Sequence, residues 1–253
     1  MNMQFGSGVL FATPTAGNLA ANPTPYQIPI LQEVQVDFKA DLKKLYGQLQ
    51  FPIAKARGKI DVTGKGKMAA LDPNVYSQLY FGLPTATGVN RPVYNEAHAA
   101  AASVAPAQTT AAQDLGVLNQ ATNENLQAIT TGTPATGQYK FTPYASAGPT
   151  PAAYEFSTAD VTAGLQVLIS YMWPDATHGT SLTINNQLMG YAPEIQMFLY
   201  NNFKGKLFSI QLNSCVLGSI SIPTKQEDFW VADFDFDASA DANGNIGIIE
   251  ADL

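Results

Sequence analysis

Glu33, Gln35, Asp37, Lys39 and Asp41 alternate with Val34, Val36, Phe38, Ala40 and Leu42. A period of two sends successive side chains to opposite faces, so this run predicts a strand with one buried and one wet side. Tyr46-Gly47 interrupts it, and the alternation then returns in a longer run. Lys55, Arg57, Lys59, Asp61, Thr63, Lys65 and Lys67 fall on one face, with Ala54, Ala56, Gly58, Ile60, Val62, Gly64, Gly66 and Met68 on the other. Fully extended, residues 54–68 would span about 50 Å, whereas a typical strand has about five or six residues. The longer run predicts a strand that outgrows its own domain and needs something else to pair with. The glycines predict close backbone approach, or a bend near Gly64 and Gly66.

The remaining pattern is mostly short strands. Segments 115–118, 126–130, 138–142, 153–157 and 166–173 carry strand signals, as do 181–186, 195–200, 206–213, 218–222, 229–240 and 246–250. Turn-rich spacers separate them. One helix is expected: Asp72 is a good N-cap, Pro73 suits the first helical position, Val75, Tyr76 and Leu79 share a face, and Gly82 closes it. Many short strands at this spacing predict a mainly β chain, an antiparallel β-sandwich or barrel with one short flanking helix. Residues 1–25 read as an extended N-terminal arm, either loose or ordered by a neighbour. Residues 26–82 and 176–253 read as the sandwich core, and 83–175 as a loop plus a β-rich insertion. Within that insertion 97–102 is alanine-rich, a short helix or a surface loop.

Composition adds the first hint of assembly. Charged residues make up 13% of the 253, about half the share usual for soluble domains. Obligate interfaces are depleted of charge at their cores, so a charge-poor globular chain suggests a surface hidden against copies of itself. A monomer with a Ser/Thr/Asn/Gln-rich surface is the alternative. The net charge of −7 is unevenly laid out: eight of thirteen basic residues lie between Lys39 and Lys67, and the stretch from Glu227 onward holds eight acidic residues and no basic one. These strips could meet inside one molecule, meet across a subunit boundary, or leave the basic one to bind phosphates. An acidic balance, with a pI near 4.7, and a basic stretch without interleaved aromatics both weigh against nucleic-acid binding.

Catalytic and metal chemistry finds little footing. Asp233, Asp235 and Asp237 share one strand face, as a cation site or an acid/base pair would need, but the Ca²⁺-loop glycine and terminal glutamate are missing around them. Alternating carboxylates that keep a strand edge from mispairing explain them as well. His98 and His178 read as exposed loop residues without metal partners, and Cys215 as a buried, inert thiol. Trp173, Trp230, Tyr191 and Phe198 read as core or subunit contacts. Gly64-Lys65-Gly66-Lys67 lacks the spacing of a phosphate loop. No catalytic, cofactor-binding or metal residue is expected, and the chain reads as a non-enzyme that needs no cofactor. The N-terminus lacks the features of a secretory signal and no apolar run is long enough for a membrane span, so folding in the cytoplasm is expected.

Three stretches resemble bacteriophage tail tube proteins: QVDFKADLKKLYGQLQFPIAKARGKIDVTGKGK (35–67), INNQLMGYAP (184–193) and KQEDFWVADFDFDASADANGNIG (225–247), with the short helix VYSQLYFG (75–82) between the first two. Together they cover about a third of the chain. Segment 83–175 is less familiar and longer than a minimal tube domain. The resemblance implies a long β-hairpin arm within 35–67 and a structural subunit whose six copies form a ring, with rings stacked into a hollow cylinder through which genomic DNA leaves the capsid without specific binding. It implies a virion-tail location after assembly in the host cytoplasm. Its partners would be copies of itself and other tail proteins such as tape measure, terminator and distal tail proteins, with no membrane. On that reading Lys55, Arg57, Lys59, Lys65 and Lys67 are interface candidates that would pair with carboxylates of the next subunit, led by Asp233, Asp235 and Asp237. A capsid-decorating or head-completion protein, or a secretion-system tube protein, is the alternative.

Overall fold

The computed structural model describes residues 4–16, 19, 21, 23–70, 72–146 and 150–252. It is mainly β and antiparallel. The strands are, in chain order, β1 (Val9–Ala16), β2 (Tyr26–Gln27), β3 (Leu31–Tyr46), β4 (Pro52–Met68), β5 (Ala86–Ala99), β6 (Gln113–Asn119) and β7 (Gln127–Ile129). They continue as β8 (Gln138–Thr142), β9 (Ala153–Phe156), β10 (Gln166–Ser181), β11 (Glu194–Phe203), β12 (Lys206–Ile220), β13 (Ala232–Ser239) and β14 (Gly247–Ala251). Two short helices join them, α1 (Pro73–Val75), which continues as a π-helical stretch over Tyr76–Phe81, and α2 (Thr158–Thr162).

The chain divides into two compact units, Met1–Ala86 with Leu182–Leu253, and Thr87–Ser181. The first holds one eight-stranded sheet in the order β2-β1-β11-β12-β13-β4-β3, with β14 lying against β12 beside β13. The sheet folds over on itself in sandwich fashion. Val34 and Val36 of β3, at one end of the strand order, meet Leu10 of β1, Met197 of β11 and Leu212 of β12 in one apolar core. Among the described residues β3 and β2 do not pair with each other, so the sheet closes into no barrel. α1 plugs this core. The Asp72 carboxylate accepts from the Asn74 amide at 2.8 Å, Pro73 takes the first helical position, and Val75, Tyr76 and Leu79 are buried. Gly82 ends the helical stretch in the left-handed region, φ 60°, where its missing Cβ removes the steric penalty.

The second unit holds two three-stranded sheets, β5-β10-β6 and β7-β8-β9, around Val117, Tyr139, Tyr154, Val167, Ile169 and Tyr171. Its core is rich in tyrosines whose hydroxyls are satisfied by carboxylates. Asp114 accepts from Tyr139 at 2.5 Å and from Tyr154 at 3.0 Å, and Glu96 accepts from Tyr171 at 2.5 Å.

Several expectations are corrected. Within the N-terminal arm, Val9–Ala16 is an internal strand between β11 and β2, with Leu10 and Ala12 buried in the core. A polar, proline-bearing stretch can still supply alternate apolar residues to a sheet that is already hydrophobic. The alanine-rich segment 97–102 forms no helix: 97–99 end β5 and 100–102 are irregular, with Ala100 buried. The two segments 206–213 and 218–222 are one strand, β12, and 181–186 is not a strand of its own: β10 runs on to Ser181. α2 is a second helix where one was expected; Ser157 caps it by accepting from the Asp160 amide at 3.1 Å.

Candidate functional site

The hairpin of β3 and β4 stands out from its sheet. The two strands pair from Leu31↔Met68 to Tyr46↔Pro52, but β13 supports β4 only from Val62 to Met68. From Ile60 to the tip no described strand lies on either side of the hairpin. Every residue from 38 to 61 except Pro52 is exposed, among them Leu42, Leu45, Leu49, Phe51 and Ile53. Unpaired edges and clustered apolar side chains are each a template for association with another chain. Lys39, Lys43, Lys44, Lys55, Arg57 and Lys59 make no ion pair with any described residue.

The single basic face expected along β4 does not survive. The register moves from Ala40↔Ile60 to Leu42↔Arg57, so Gly58 and Lys59 together oppose Asp41. This bulge puts one extra residue into β4 and reverses its alternation toward the tip. A Cβ at Gly58 would lie beside Asp41 and Lys43, the face away from Ile60. Lys55 and Arg57 therefore share the face of Leu42 and Ile60, while Lys59, Lys65 and Lys67 stay on the other.

Lys65 and Lys67 meet the acidic strand inside the same molecule. Three rows cross β3, β4 and β13: Glu33–Lys67–Asp233, Gln35–Lys65–Asp235 and Asp37–Thr63–Asp237. Lys67 contacts Glu33 at 3.1 Å, and Asp235 accepts from the Ser219 hydroxyl at 2.5 Å. The first two rows line an open pocket of about 300 Å³. The structure thus brings two of the five basic candidates alongside the three acidic ones, and leaves Lys55, Arg57 and Lys59 out on the shaft. No group of three or more metal-ligating side chains occurs among the described residues. On the opposite face of the same strands, the rings of Phe234 and Phe236 lie over Gly66 and Gly64.

The remaining candidates fall into supporting roles. His98 lies in β5 and His178 in β10, strands rather than loops. His98 Nε2 contacts Glu96 at 2.5 Å and His178 Nδ1 contacts Asp175 at 3.0 Å. Asp175 is nearly buried and also accepts from Arg91 at 2.7 Å. Its burial pushes the carboxyl up, but Arg91, Thr177 and His178 outweigh that and hold it far below the usual carboxylate range. Cys215 is fully buried between β11 and β13, and desolvation pushes its thiol up to about 12. Trp173 packs against the second unit's core, Trp230 is largely exposed, and Tyr191 donates to the Gly82 carbonyl at 3.4 Å.

A feature not singled out from the sequence is an apolar cleft of about 320 Å³ lined by Pro73, Tyr76, Phe81, Leu182, Ile184 and Ile222. Its residues come from three separated stretches, so only folding assembles it. The uncharged hairpin tip, LYGQLQFPIA over 45–54, was legible as a composition shift between two basic runs. No described helix is long and apolar enough to cross a membrane. No protein-family model matches the chain, and no curated protein is significantly similar to it.

Proposed function

We infer that the protein is a self-assembling structural subunit, the repeating element of a phage tail tube, forming rings of six that stack around a channel for genomic DNA. The observation that carries this reading is the hairpin, whose outer part stands beyond the sheet with two unpaired edges and an exposed apolar tip. A monomeric protein would leave that surface as an aggregation hazard; a subunit covers it with its neighbours.

Charge fits the same role. Lys55, Arg57 and Lys59 make no ion pair with any described residue, whereas the face formed by β3, β4 and β13 has five carboxylates around Lys65 and Lys67. In the assembled tube the shaft of one copy pairs with carboxylates of the next, Asp237 and Asp37 being the least matched at home. The net acidity of the chain suits a bore that lets DNA slide, since phosphate contacts would grip it. Tape measure, terminator and distal tail proteins are the further partners on this reading, and the virion tail is the location.

Negative-stain electron microscopy with sedimentation velocity across a concentration series tests it. Rings and hollow tubes are expected. Knobs or trimers would indicate a different virion component, and a single 27.0 kDa species at every concentration would sink the reading.

A further inference from the structure

The hairpin's tip differs in chemistry from its shaft. No residue from 45 to 54 is charged, and Leu49, Phe51 and Ile53 stand 81%, 82% and 73% exposed. The apolar cleft beside α1 is equally unfilled: Ile184 and Ile222 on its lip are 65% and 68% exposed. Tyr76 in its wall is held in place, with its ring buried and its hydroxyl donating to the Ser221 carbonyl at 3.0 Å.

Tip and cleft lie at opposite ends of one strand. β4 starts at the tip with Pro52 and ends at Met68, which sits opposite Ala232 and Leu31. Pro73, in the cleft wall, follows five residues later. β12 ends at the same level, with Ile220 opposite Phe234, and Ile222 follows two residues later. About 50 Å of extended chain separates the two ends of β4. A chain therefore cannot seat its own tip in its own cleft, but a second copy displaced along the strand direction can.

The geometry points to a head-to-tail joint in which Leu49, Phe51 and Ile53 of one copy enter the cleft formed by Pro73, Tyr76, Phe81, Leu182, Ile184 and Ile222 of the next. This rests on the self-assembly reading and specifies the contact that extends the tube. A cleft of this volume lies at the lower end of those that hold small ligands, enough for an aromatic ring with an aliphatic neighbour. The absence of charge at the tip matters because an ammonium group carried into the cleft would lose its hydration without a partner. Lys43, Lys44, Lys55 and Arg57 lie behind the tip and stay in solvent. The loop after Ile222 carries Lys225, Glu227 and Asp228; Lys225 pairs with Asp228 at 3.1 Å, which leaves Glu227 as the charge opposite in sign to that shaft, and such complementarity sets register more than affinity. Because tip meets cleft and not another tip, the contact is heterologous and can repeat without limit, as growth along an axis requires.

Cysteine cross-linking tests the joint directly. Phe51→Cys protein is mixed with Ile222→Cys protein under mild oxidation and run on a non-reducing gel; buried Cys215 adds no background. The expected result is a disulfide-linked dimer in the mixture only. Dimers in the Phe51→Cys sample alone would mean that tips meet tips, and assembly of the mixture without the mixed disulfide would mean that tips go elsewhere; either overturns the joint. Independently, Phe51→Asp should fold normally by circular dichroism, since the tip is exposed, and should raise the concentration needed for tube growth at least tenfold. Tubes formed by Phe51→Asp at the unaltered protein's concentration would overturn the joint and leave the self-assembly reading intact. If the unaltered protein forms no oligomer at all, both fall.

Discussion

Phe236 lies directly across from Gly64, its ring occupying the space that any side chain at position 64 would need. Phe234 and Gly66 repeat the relationship one step along, and the two rings stack with centroids 6.4 Å apart. The glycines are therefore seats for aromatic rings at the core of the first unit. Gly64→Val or Gly66→Val should destabilise it by about 1–3 kcal/mol through overpacking. Phe236→Ala, which empties the seat, should cost about 3–5 kcal/mol. Urea midpoints would check both, and an unchanged midpoint for Gly64→Val would contradict the placement of the ring.

Lys67 sits between Glu33 and Asp233. Lys67→Glu would put three carboxylates in one cross-strand row, at a cost of about 0.2–1 kcal/mol for each like-charged neighbour. All of these groups are exposed, so about 1 M salt should remove most of the loss. Denaturation curves at low and high salt separate this from a packing defect, which salt would not rescue.

Arg57 and Lys59 occupy opposite faces of the shaft and make no ion pair with any described residue, Lys59 standing across from Asp41. Reversing both to glutamate should cost the monomer no more than about 1 kcal/mol, the repulsion of one like-charged cross-strand neighbour, since Lys59 faces Asp41. Tube growth should nevertheless stop. Tubes of normal length from the double variant would show that the shaft's charge has no part in assembly.

Cys215 is shielded by β11 and β13, and its thiol is pushed up to about 12 by desolvation. Near pH 8 it should resist a thiol reagent in the folded protein and react fully in denaturant. The labelling rate then reports opening of the first unit, and rapid labelling under native conditions would mean that β12 is not held as described.

Asp175 in the second unit is held below the ordinary carboxylate range by Arg91, Thr177 and His178, against its own burial. A carboxyl with a depressed folded pKa adds stability above its unfolded pKa, and that stability is lost as pH falls below it toward the folded value. The second unit should therefore weaken only in acid, below about pH 4. Arg91→Ala should shift its acid unfolding to higher pH. The fluorescence of Trp173 in a Trp230→Phe background reads this unit alone.

Alternation along 33–42 and 54–68 was enough to locate the two strands of the hairpin, because a half-buried strand must repeat every two residues. The helix after Asp72 was legible from its own cap chemistry, and most strands between 115 and 250 were legible from apolar runs set off by turns. β1 and β5 were not. Val9–Ala16 and Ala86–Ala99 carry proline, glycine and polar residues that favour loops locally, and only the neighbouring strands supply the pairing that holds them extended.

Charge shows the same division. The opposed basic and acidic strips were visible in the linear order, but whether they met within a molecule or between molecules depended on which strands became neighbours. β13 pairs with β4 over 62–68 and goes no further, so Lys65 and Lys67 find Asp235 and Asp233 at home while Arg57 and Lys59 do not. A single extra residue at Gly58-Lys59 then turned Lys55 and Arg57 to the other face, a change that strict alternation cannot anticipate. The sequence by itself determined the periodicities, the charge distribution and the uncharged tip, since these are local properties of consecutive residues. Only the tertiary structure decided which strands adjoin, where the bulge falls and that an apolar cleft opens at the far end from the tip, since each of these brings together residues far apart in the chain.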